Sequence, residues 1–240
     1  MYEPRFYRDW VAKTGLVTFE VQERESDLLI RARRDLRHQA AEILSASRRA
    51  VEEEIARLPE FATSLSPLPM PLEAKPVVRW MYAAARAYDV GPMAAVAGAI
   101  ARAVGEGLLS RSPEIIVENG GDIYLRMQRP VMMGLFAGKD SPFTGGLRIR
   151  IDPAGLPLGV CTSSGTVGHS LSFGRADAVV AVASDAALAD AAATAICNRV
   201  KSPEDVEPAI EAEQHRGLLK GLLIVIGKRL GAWGNVELSS

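Results

Sequence analysis

Alternation of apolar and polar residues marks the start of the chain and then gives way to helical spacing. Residues 15–23 and 27–32 alternate around a polar Glu-Arg-Glu-Ser segment, which predicts a β-hairpin. Residues 33–58 carry apolar side chains at helical spacing, and residues 76–88 predict a second helix with a proline in its first turn. A proline-rich connector at about 59–76 joins these two predicted helices.

Apolar segments of strand length dominate the chain after one further predicted helix, which begins at Gly91-Pro92. The segments that predict strands are 114–118, 122–127, 131–137, 147–152, 157–162, 176–183 and 221–227. Helices are predicted over 185–198 and 203–214, and the tail has room for one more strand. Strands and helices come in blocks, without strict β-α-β alternation. The pattern therefore favours an α+β fold with a mostly antiparallel sheet, in one domain over residues 1–240.

Charge and cysteine content narrow the class of protein. The formal net charge of −1 creates no global field for nucleic acid or an anionic membrane, so we expect neither as a partner. No run approaches the roughly 20 apolar residues of a membrane span, and the N-terminus is too charged for a signal peptide. The cysteines, Cys161 and Cys197, form no C-x-x-C motif. We therefore expect a cytoplasmic protein with free thiols.

The predicted helix at 185–198 contains an unusual pair of polar side chains. Between Ala186 and Cys197 only Asp190 and Thr194 are polar, and they share one helical face because they are four residues apart. A buried carboxylate is costly unless another group pairs with it. Either these two residues hold Mg²⁺, completed by water, a backbone carbonyl and substrate phosphate, or Asp190 accepts hydrogen bonds from a nearby loop and Thr194 bonds back to its own helix.

The segment Asn119, Gly120, Gly121, Asp122 has the composition of a hairpin turn. Because neither glycine has a Cβ, it is also a place where a ligand can approach the backbone closely. Asp122 is a further candidate for holding a metal or a ligand.

The segment Thr162, Ser163, Ser164, Gly165 follows a predicted strand. Its hydroxyl and N–H groups suit an anion cradle, although a polar turn explains the composition equally well. His169 lies in the loop beyond it and is a candidate general acid or base, or simply a hydrogen-bonding residue.

The small residues at 91–98 allow two interpretations. They permit tight packing of this helix against another element. Alternatively, the free N–H groups at the start of the helix face an anionic ligand.

Three motifs occur in order along the chain: N-G-G-D-I at 119–123, T-S-S-G at 162–165 and L-A-D-A-A-A-T-A at 188–195. Together they resemble the FAD:protein FMN transferase (ApbE-like) superfamily, which shows a G-G-D-I turn, a T-S-G loop and an L-A-D-A-x-x-T-A helix. The last motif is the most specific, and the resemblance covers roughly residues 91–198. It implies a T-fold-like α+β architecture, with a mostly antiparallel sheet backed by helices.

The resemblance also implies ligands and partners. Family members bind FAD and Mg²⁺ and transfer FMN through a phosphoester to a Thr or Ser of a target protein. The helix Asp and Thr bind the metal there, which assigns Asp190 and Thr194 to Mg²⁺, and residues 119–122 and 162–165 are assigned to the flavin nucleotide. His169 is then the candidate base for the acceptor hydroxyl. The implied partners are a small-molecule nucleotide and an acceptor protein, and a homo-oligomer remains open.

The chain departs from the family pattern at two places. The Gly-rich segment at 91–98 corresponds to the family's D-x-G-G-x-x-K-G, but its lysine is not evident. The family's H-I-I-D-P-x-T-G is reduced to residues 169–174, which keep His169 but have Ser172 in place of Asp. Two alternatives to FMN transfer therefore stay open: a flavin- or nucleotide-binding module without transfer activity, and a structural oligomer whose small-residue helices only pack. We expect a cytoplasmic branch of the superfamily.

Overall fold

The computed structural model describes residues 15–135, 137, 143, 148–166 and 173–239. The strands within them are β1 (Val17–Glu23), β2 (Ser26–Ala32), β3 (Ile115–Asn119), β4 (Asp122–Arg126), β5 (Val131–Gly134), β6 (Arg148–Ile151), β7 (Pro157–Ser163), β8 (Ala178–Ala183), β9 (Gly221–Ile226), β10 (Arg229–Gly234) and β11 (Glu237–Ser239). The α-helices are α1 (Arg37–Arg57), α2 (Pro76–Tyr88), α3 (Val96–Leu108), α4 (Ala186–Arg199) and α5 (Val206–Arg216). The main sheet has eight antiparallel strands in the order β1-β2-β3-β4-β7-β8-β9-β10, and β11-β6-β5 form a second, three-stranded sheet.

Both faces of the main sheet are covered at its centre, as strand β8 shows. All six of its residues are buried. Every second residue from Val179 belongs to the core shared with helices α1 to α4, and the residues between them belong to the core shared with the second sheet. Successive side chains of a strand point to opposite faces. This antiparallel strand is therefore continuously apolar, since neither face meets water.

Local sequence signals set the ends of several elements. Asp185 caps α4, because its Oδ1 accepts hydrogen bonds from the N–H groups of Ala187 at 2.8 Å and Leu188 at 3.4 Å. Gly120 and Gly121 join β3 to β4 with φ angles of +68° and +103°, as a two-residue hairpin of the primed type requires.

Within the described residues, no helix combines the length and the apolar character that crossing a bilayer requires.

The α+β class and the antiparallel sheet are confirmed, and the differences from expectation lie at element ends. Helix α1 begins at Arg37 and not at residue 33, and the segment 203–214 divides into a 3₁₀ turn, Pro203–Asp205, followed by α5. The connector contains a 3₁₀ turn, Pro59–Ala62, whose Phe61 is buried in the core. The tail forms two strands where room for one was expected. The second, β11, pairs with the distant β6.

Glu54 is a buried carboxylate between α1 and α2. Its Oε1 accepts hydrogen bonds from Arg57 Nη2 and from the Tyr82 hydroxyl, each at 2.5 Å, and its Oε2 accepts one from Arg57 Nε at 3.0 Å. The Arg57 guanidinium holds the pKa of Glu54 below its usual value, although burial opposes this. Burial and the contact with Glu54 raise the pKa of Tyr82 to about 12.

This arrangement predicts acid sensitivity. A carboxyl whose pKa is depressed in the folded state stabilises the protein above its unfolded pKa, about 4.3 for Glu, and this stability is lost as pH falls through the folded pKa. We expect Arg57→Met to lower the melting temperature at neutral pH and to flatten the loss of stability below about pH 4.3. Thermal unfolding between neutral pH and strong acid measures this, with Arg49→Met, an exposed position of the same helix, as control. Equal acid sensitivity of wild type and Arg57→Met would contradict the role of Arg57.

Candidate functional site

The carboxylate of Asp190 is buried inside the layer of helices. Its Oδ2 accepts a hydrogen bond from the N–H of Gly98 at 2.9 Å, in the first turn of α3. Burial raises the pKa of Asp190 to about 7, against the opposing effect of the N–H groups of Gly98 and Ala97. The start of α3 therefore does hold an anionic group, but that group is a side chain of the same protein.

Gly98 makes this contact possible. A Cβ at this position would lie 2.2 Å from the carbonyl oxygen of Ala186 and 2.9 Å from the Cβ of Asp190. Helices α3 and α4 therefore pack backbone to backbone here. Of the two interpretations that the sequence offered for this segment, tight packing is observed, and the Gly98 N–H donates to the protein's own Asp190 and not to a ligand.

The β3–β4 turn lies next to this contact. The Asn119 side chain donates from Nδ2 to the carbonyl oxygen of Ala97 at 3.2 Å. The N–H of Gly121 donates to Glu118 Oε1 at 2.8 Å. No atom outside the turn lies within 4 Å of an ideal Cβ on Gly120 or Gly121. Hydrogen bonds to α3 and to Glu118 thus fix the turn. The space around Gly120 and Gly121 is open, so a ligand could approach the backbone there.

Asp122 brings a second buried carboxylate to the same place. Its Oδ1 accepts a hydrogen bond from the N–H of Thr162 at 3.3 Å, which ties the turn to the end of β7. Burial raises the pKa of Asp122 well above its usual value, and the charges of Asp190 and Glu118 raise it further. Asp122 and Asp190 therefore destabilise each other when both are ionised.

Cys161 completes this acidic cluster. The thiol is buried and donates to the carbonyl oxygen of Ala186 at 3.3 Å. Burial, followed by the charges of Asp122 and Asp190, raises its pKa well above the usual value. Cys197 is likewise buried, and neither cysteine forms a disulfide. A protonated, inaccessible Cys161 is suited to packing and not to nucleophilic attack.

The side chains at this cluster do not form a complete metal site by themselves, but they suit Mg²⁺. Among the described residues, no group of three or more His, Cys, Asp and Glu side chains is arranged to hold a metal ion. Mg²⁺, however, is usually held by one or two carboxylates together with waters and substrate phosphates. Asp122 and Asp190 supply two carboxylates, and the half-buried Thr194 lies one turn beyond Asp190 on α4.

The T-S-S-G segment forms a tightly held loop at the end of β7. Thr162 and Ser163 are the last residues of the strand. The N–H of Gly165 donates to the carbonyl oxygen of Ala176 at 2.8 Å, and the N–H of Thr166 donates to Ser164 Oγ at 3.1 Å. Because these two N–H groups donate within the protein, the groups that this loop offers to an anion are its hydroxyl groups.

Asp177 anchors this loop, a role that nothing in the sequence pattern indicated. Its Oδ1 accepts a hydrogen bond from Thr166 Oγ1 at 3.1 Å, and its Oδ2 accepts one from the N–H of Gly227 at 2.7 Å. Gly227 lies in the turn between β9 and β10. One carboxylate therefore fixes the T-S-S-G loop to the C-terminal hairpin.

The candidate base His169 lies outside the described residues, as do its neighbours at 167–172. The described residues on either side are Thr166 and Phe173. The N–H of Phe173 donates to Asn198 Oδ1 at 2.8 Å, and Lys201 Nζ donates to the carbonyl oxygen of Phe173. The role of His169 stays a prediction.

The candidate residues on the β3–β4 turn, at the end of β7 and on α4 therefore lie at one end of the main sheet. Four hydrogen bonds among the described residues connect the parts. The Thr162 N–H donates to Asp122 and the Cys161 thiol donates to Ala186. The start of α3 links the other two, because Asn119 donates to the carbonyl oxygen of Ala97 and the Gly98 N–H donates to Asp190. Sequence reasoning identified the segments but missed the direct pairing of Asp190 with Gly98, the proximity of Asp122 to Asp190, and the anchor Asp177.

Known proteins share this sequence pattern and fold. A family model described as AbpE bacteria matches residues 8–226. A UPF0280 protein of Methanothermobacter thermautotrophicus is 42% identical over 213 residues, which cover 86% of this chain and 82% of that protein. A UPF0280 protein of Methanocaldococcus jannaschii is 42% identical over 202 residues, or 82% of each chain. The apo crystal structure of the flavinyl transferase ApbE from Pseudomonas stutzeri superposes with a TM-score of 0.60 at 13% identity, covering 92% of this chain and 94% of that one. The chain therefore belongs to the AbpE bacteria family and has the fold of the ApbE flavin transferases.

Proposed function

We propose that this protein binds FAD together with Mg²⁺ and transfers FMN to a hydroxyl group of an acceptor protein. The observation that carries the proposal is the buried pair Asp122 and Asp190. Burial raises the pKa of both carboxyls, and the charge of Asp190 raises the pKa of Asp122 further. A divalent cation relieves both costs, because it attracts each carboxylate and compensates its lost hydration. The open Gly120-Gly121 turn beside the pair leaves room for a phosphate group.

Asp190, Thr194 and Asp122 would hold the metal ion, and residues 162–165 would bind the phosphates through their hydroxyl groups. When bound, Mg²⁺ would supply electrostatic stabilisation of the charge that develops on the transferred phosphoryl group. The anchored loop keeps its donors in place before the nucleotide arrives, which reduces the entropic cost of binding.

The proposed transfer step exchanges the phosphoanhydride bond of FAD for a phosphoester bond to the acceptor. The oxygen of an acceptor Thr or Ser hydroxyl forms a bond to the phosphorus of the FMN half of FAD. The bond from that phosphorus to the bridging oxygen breaks, and AMP leaves with the electron pair. His169 accepts the proton of the attacking hydroxyl. The products are a protein with FMN in phosphoester linkage and free AMP, so no further reactant is required.

Two other functions remain candidates. Ser172 stands where the family has Asp, which favours a flavin-binding module without transfer activity. Small-residue helices were the basis for a structural oligomer, but the contact of Gly98 with Ala186 lies within one chain. These alternatives make different predictions for ligand binding and for the acceptor.

Calorimetric titration of the purified protein separates the three functions. We expect FAD to bind at least about 10-fold more tightly with Mg²⁺ than with EDTA, because a phosphate-bridging metal adds about 1.4 kcal/mol or more. Riboflavin, which has no phosphate, serves as the control and should show no dependence on Mg²⁺. FAD binding that ignores Mg²⁺ would contradict the metal site, and no FAD binding would favour the structural oligomer.

Transfer is tested separately by incubation with FAD, Mg²⁺ and candidate acceptor proteins. The expected result is a mass increase of one FMN moiety on the acceptor with release of one AMP. Tight FAD binding without either product, across acceptors that a known flavinyl transferase modifies, would favour the non-catalytic module.

A further inference from the structure

Phe173 has an unusual position among the aromatic residues of the chain. Among the described residues it is the only exposed aromatic side chain, at 55% relative exposure. An exposed apolar residue by itself needs no explanation. Here, however, the backbone on both sides of the ring is held in place.

Two side chains from the end of α4 and just beyond it fix the backbone of Phe173. Asn198 Oδ1 accepts a hydrogen bond from its N–H at 2.8 Å, and Lys201 Nζ donates to its carbonyl oxygen. The next residue, Gly174, has no room for a Cβ, which would lie 1.7 Å from the carbonyl oxygen of Cys197. The backbone that carries the ring is therefore packed directly on α4.

The same segment touches the T-S-S-G loop. A Cβ on Gly165 would lie 2.3 Å from the carbonyl oxygen of Gly174, so the two backbones are in direct contact. Asn198 also lies on the face of α4 that carries Asp190 and Thr194, since the three residues are spaced four apart. Phe173 is thus presented at the edge of the proposed nucleotide site.

We propose that Phe173 is a stacking platform for a planar ring of the bound flavin nucleotide. The inference rests on the proposed function and adds a specificity-determining residue to the same site. Because the backbone that carries this exposed ring is already fixed, only the side-chain rotation of Phe173 is lost when a ligand covers the ring. Both the isoalloxazine and the adenine of FAD offer a flat face, and stacking of an aromatic side chain on such a ring contributes substantially to nucleotide affinity.

The test compares FAD affinity in Mg²⁺ buffer for wild type, Phe173→Ala, Phe173→Leu and Phe173→Trp. We expect Phe173→Ala to weaken FAD binding by about 10-fold to 100-fold, Phe173→Leu to behave like the alanine variant, and Phe173→Trp to restore affinity. The melting temperatures of all four proteins should agree, because the ring is exposed. Leu218→Ala, at an exposed residue outside the site, is the matched control and should bind like wild type.

The same variants with FMN and with ADP assign the ring. Loss of affinity for FMN alone places the isoalloxazine on Phe173, and loss for ADP alone places the adenine there. Wild-type affinity of Phe173→Ala for FAD, or of Phe173→Leu, would overturn the stacking platform while leaving the proposed function intact. A wild-type protein that does not bind FAD would overturn the proposed function and the platform with it.

Discussion

Replacement of Asp190 by asparagine is expected to remove the Mg²⁺ dependence of FAD binding without lowering the stability of the metal-free protein. In the presence of Mg²⁺ the affinity for FAD should fall by about 100-fold, because a metal ligand is lost. Stability should be unchanged or rise by up to about 2 kcal/mol at pH 8. Removing a buried charge that repels Asp122 stabilises the protein. The asparagine N–H₂ group then needs a hydrogen-bond acceptor, which offsets part of this gain.

The raised pKa of Asp190 determines how the stability of the metal-free protein changes with pH. The pKa of Asp190 is about 7 in the folded protein and about 3.9 in an unfolded chain. The folded state therefore holds the proton more tightly, and the metal-free wild type loses stability as pH rises from about 4 to about 7. Any advantage of Asp190→Asn should appear at pH 8 and vanish at pH 4.

Thermal unfolding with EDTA at both pH values, and FAD titration with and without Mg²⁺, measure these quantities. Asp89→Asn is the matched control, because Asp89 is exposed and its φ of +56° is tolerated by asparagine. A destabilised Asp190→Asn protein that still binds FAD in an Mg²⁺-dependent way would reject Asp190 as a metal ligand. It would instead identify Asp190 as a structural hydrogen-bond acceptor of α3.

Gly98→Ala should strongly destabilise the fold at the proposed site. The added Cβ would lie 2.2 Å from the carbonyl oxygen of Ala186, and a backbone oxygen cannot rotate away as a side chain can. We expect the free energy of unfolding to fall by about 3 kcal/mol, the upper part of the usual range for overpacking. Since α3 must move away from α4, the contact between Gly98 and Asp190 should be lost, and FAD binding with it.

Urea denaturation of wild type, Gly98→Ala and Gly107→Ala tests this expectation. Gly107 lies in the same helix, but a Cβ there would meet only the side chain of Ile43, whose flexible end, Cδ1, is nearest at 2.7 Å. Gly107→Ala should therefore change the free energy of unfolding by less than about 1 kcal/mol, aided by the helix propensity of alanine. Equal stability of the two variants would show that α3 and α4 can separate at little cost.

Local patterns predicted the parts of this fold whose geometry is decided within a few residues. Alternation identified the β1–β2 hairpin, Asn119-Gly120-Gly121 identified the β3–β4 turn, and Pro76 marked the first residue of α2. In each case the backbone preference of the residues and the required conformation agree.

Contacts between distant segments escaped prediction, because no local pattern encodes them. Asp190 was recognisable as an acid that needs a partner, but its partner Gly98 lies 92 residues earlier and uses a backbone N–H, which any residue type except proline offers. The pairing of β11 with β6 and the bond from Asp177 to Gly227 are equally invisible. The sequence therefore predicted which segments form the site, but not the hydrogen bonds and charge interactions between them.

The bond between Asp177 and Gly227 has a consequence for how the chain is synthesised. The T-S-S-G loop leaves the ribosome well before Gly227, which follows Asp177 by 50 residues. Until the C-terminal hairpin has joined the sheet, the second oxygen of Asp177 lacks this donor, and the loop is held from one side only. Long-range pairings of this kind form late and slowly. A nascent or C-terminally shortened chain would therefore carry every motif of the site before, or without, having the site itself.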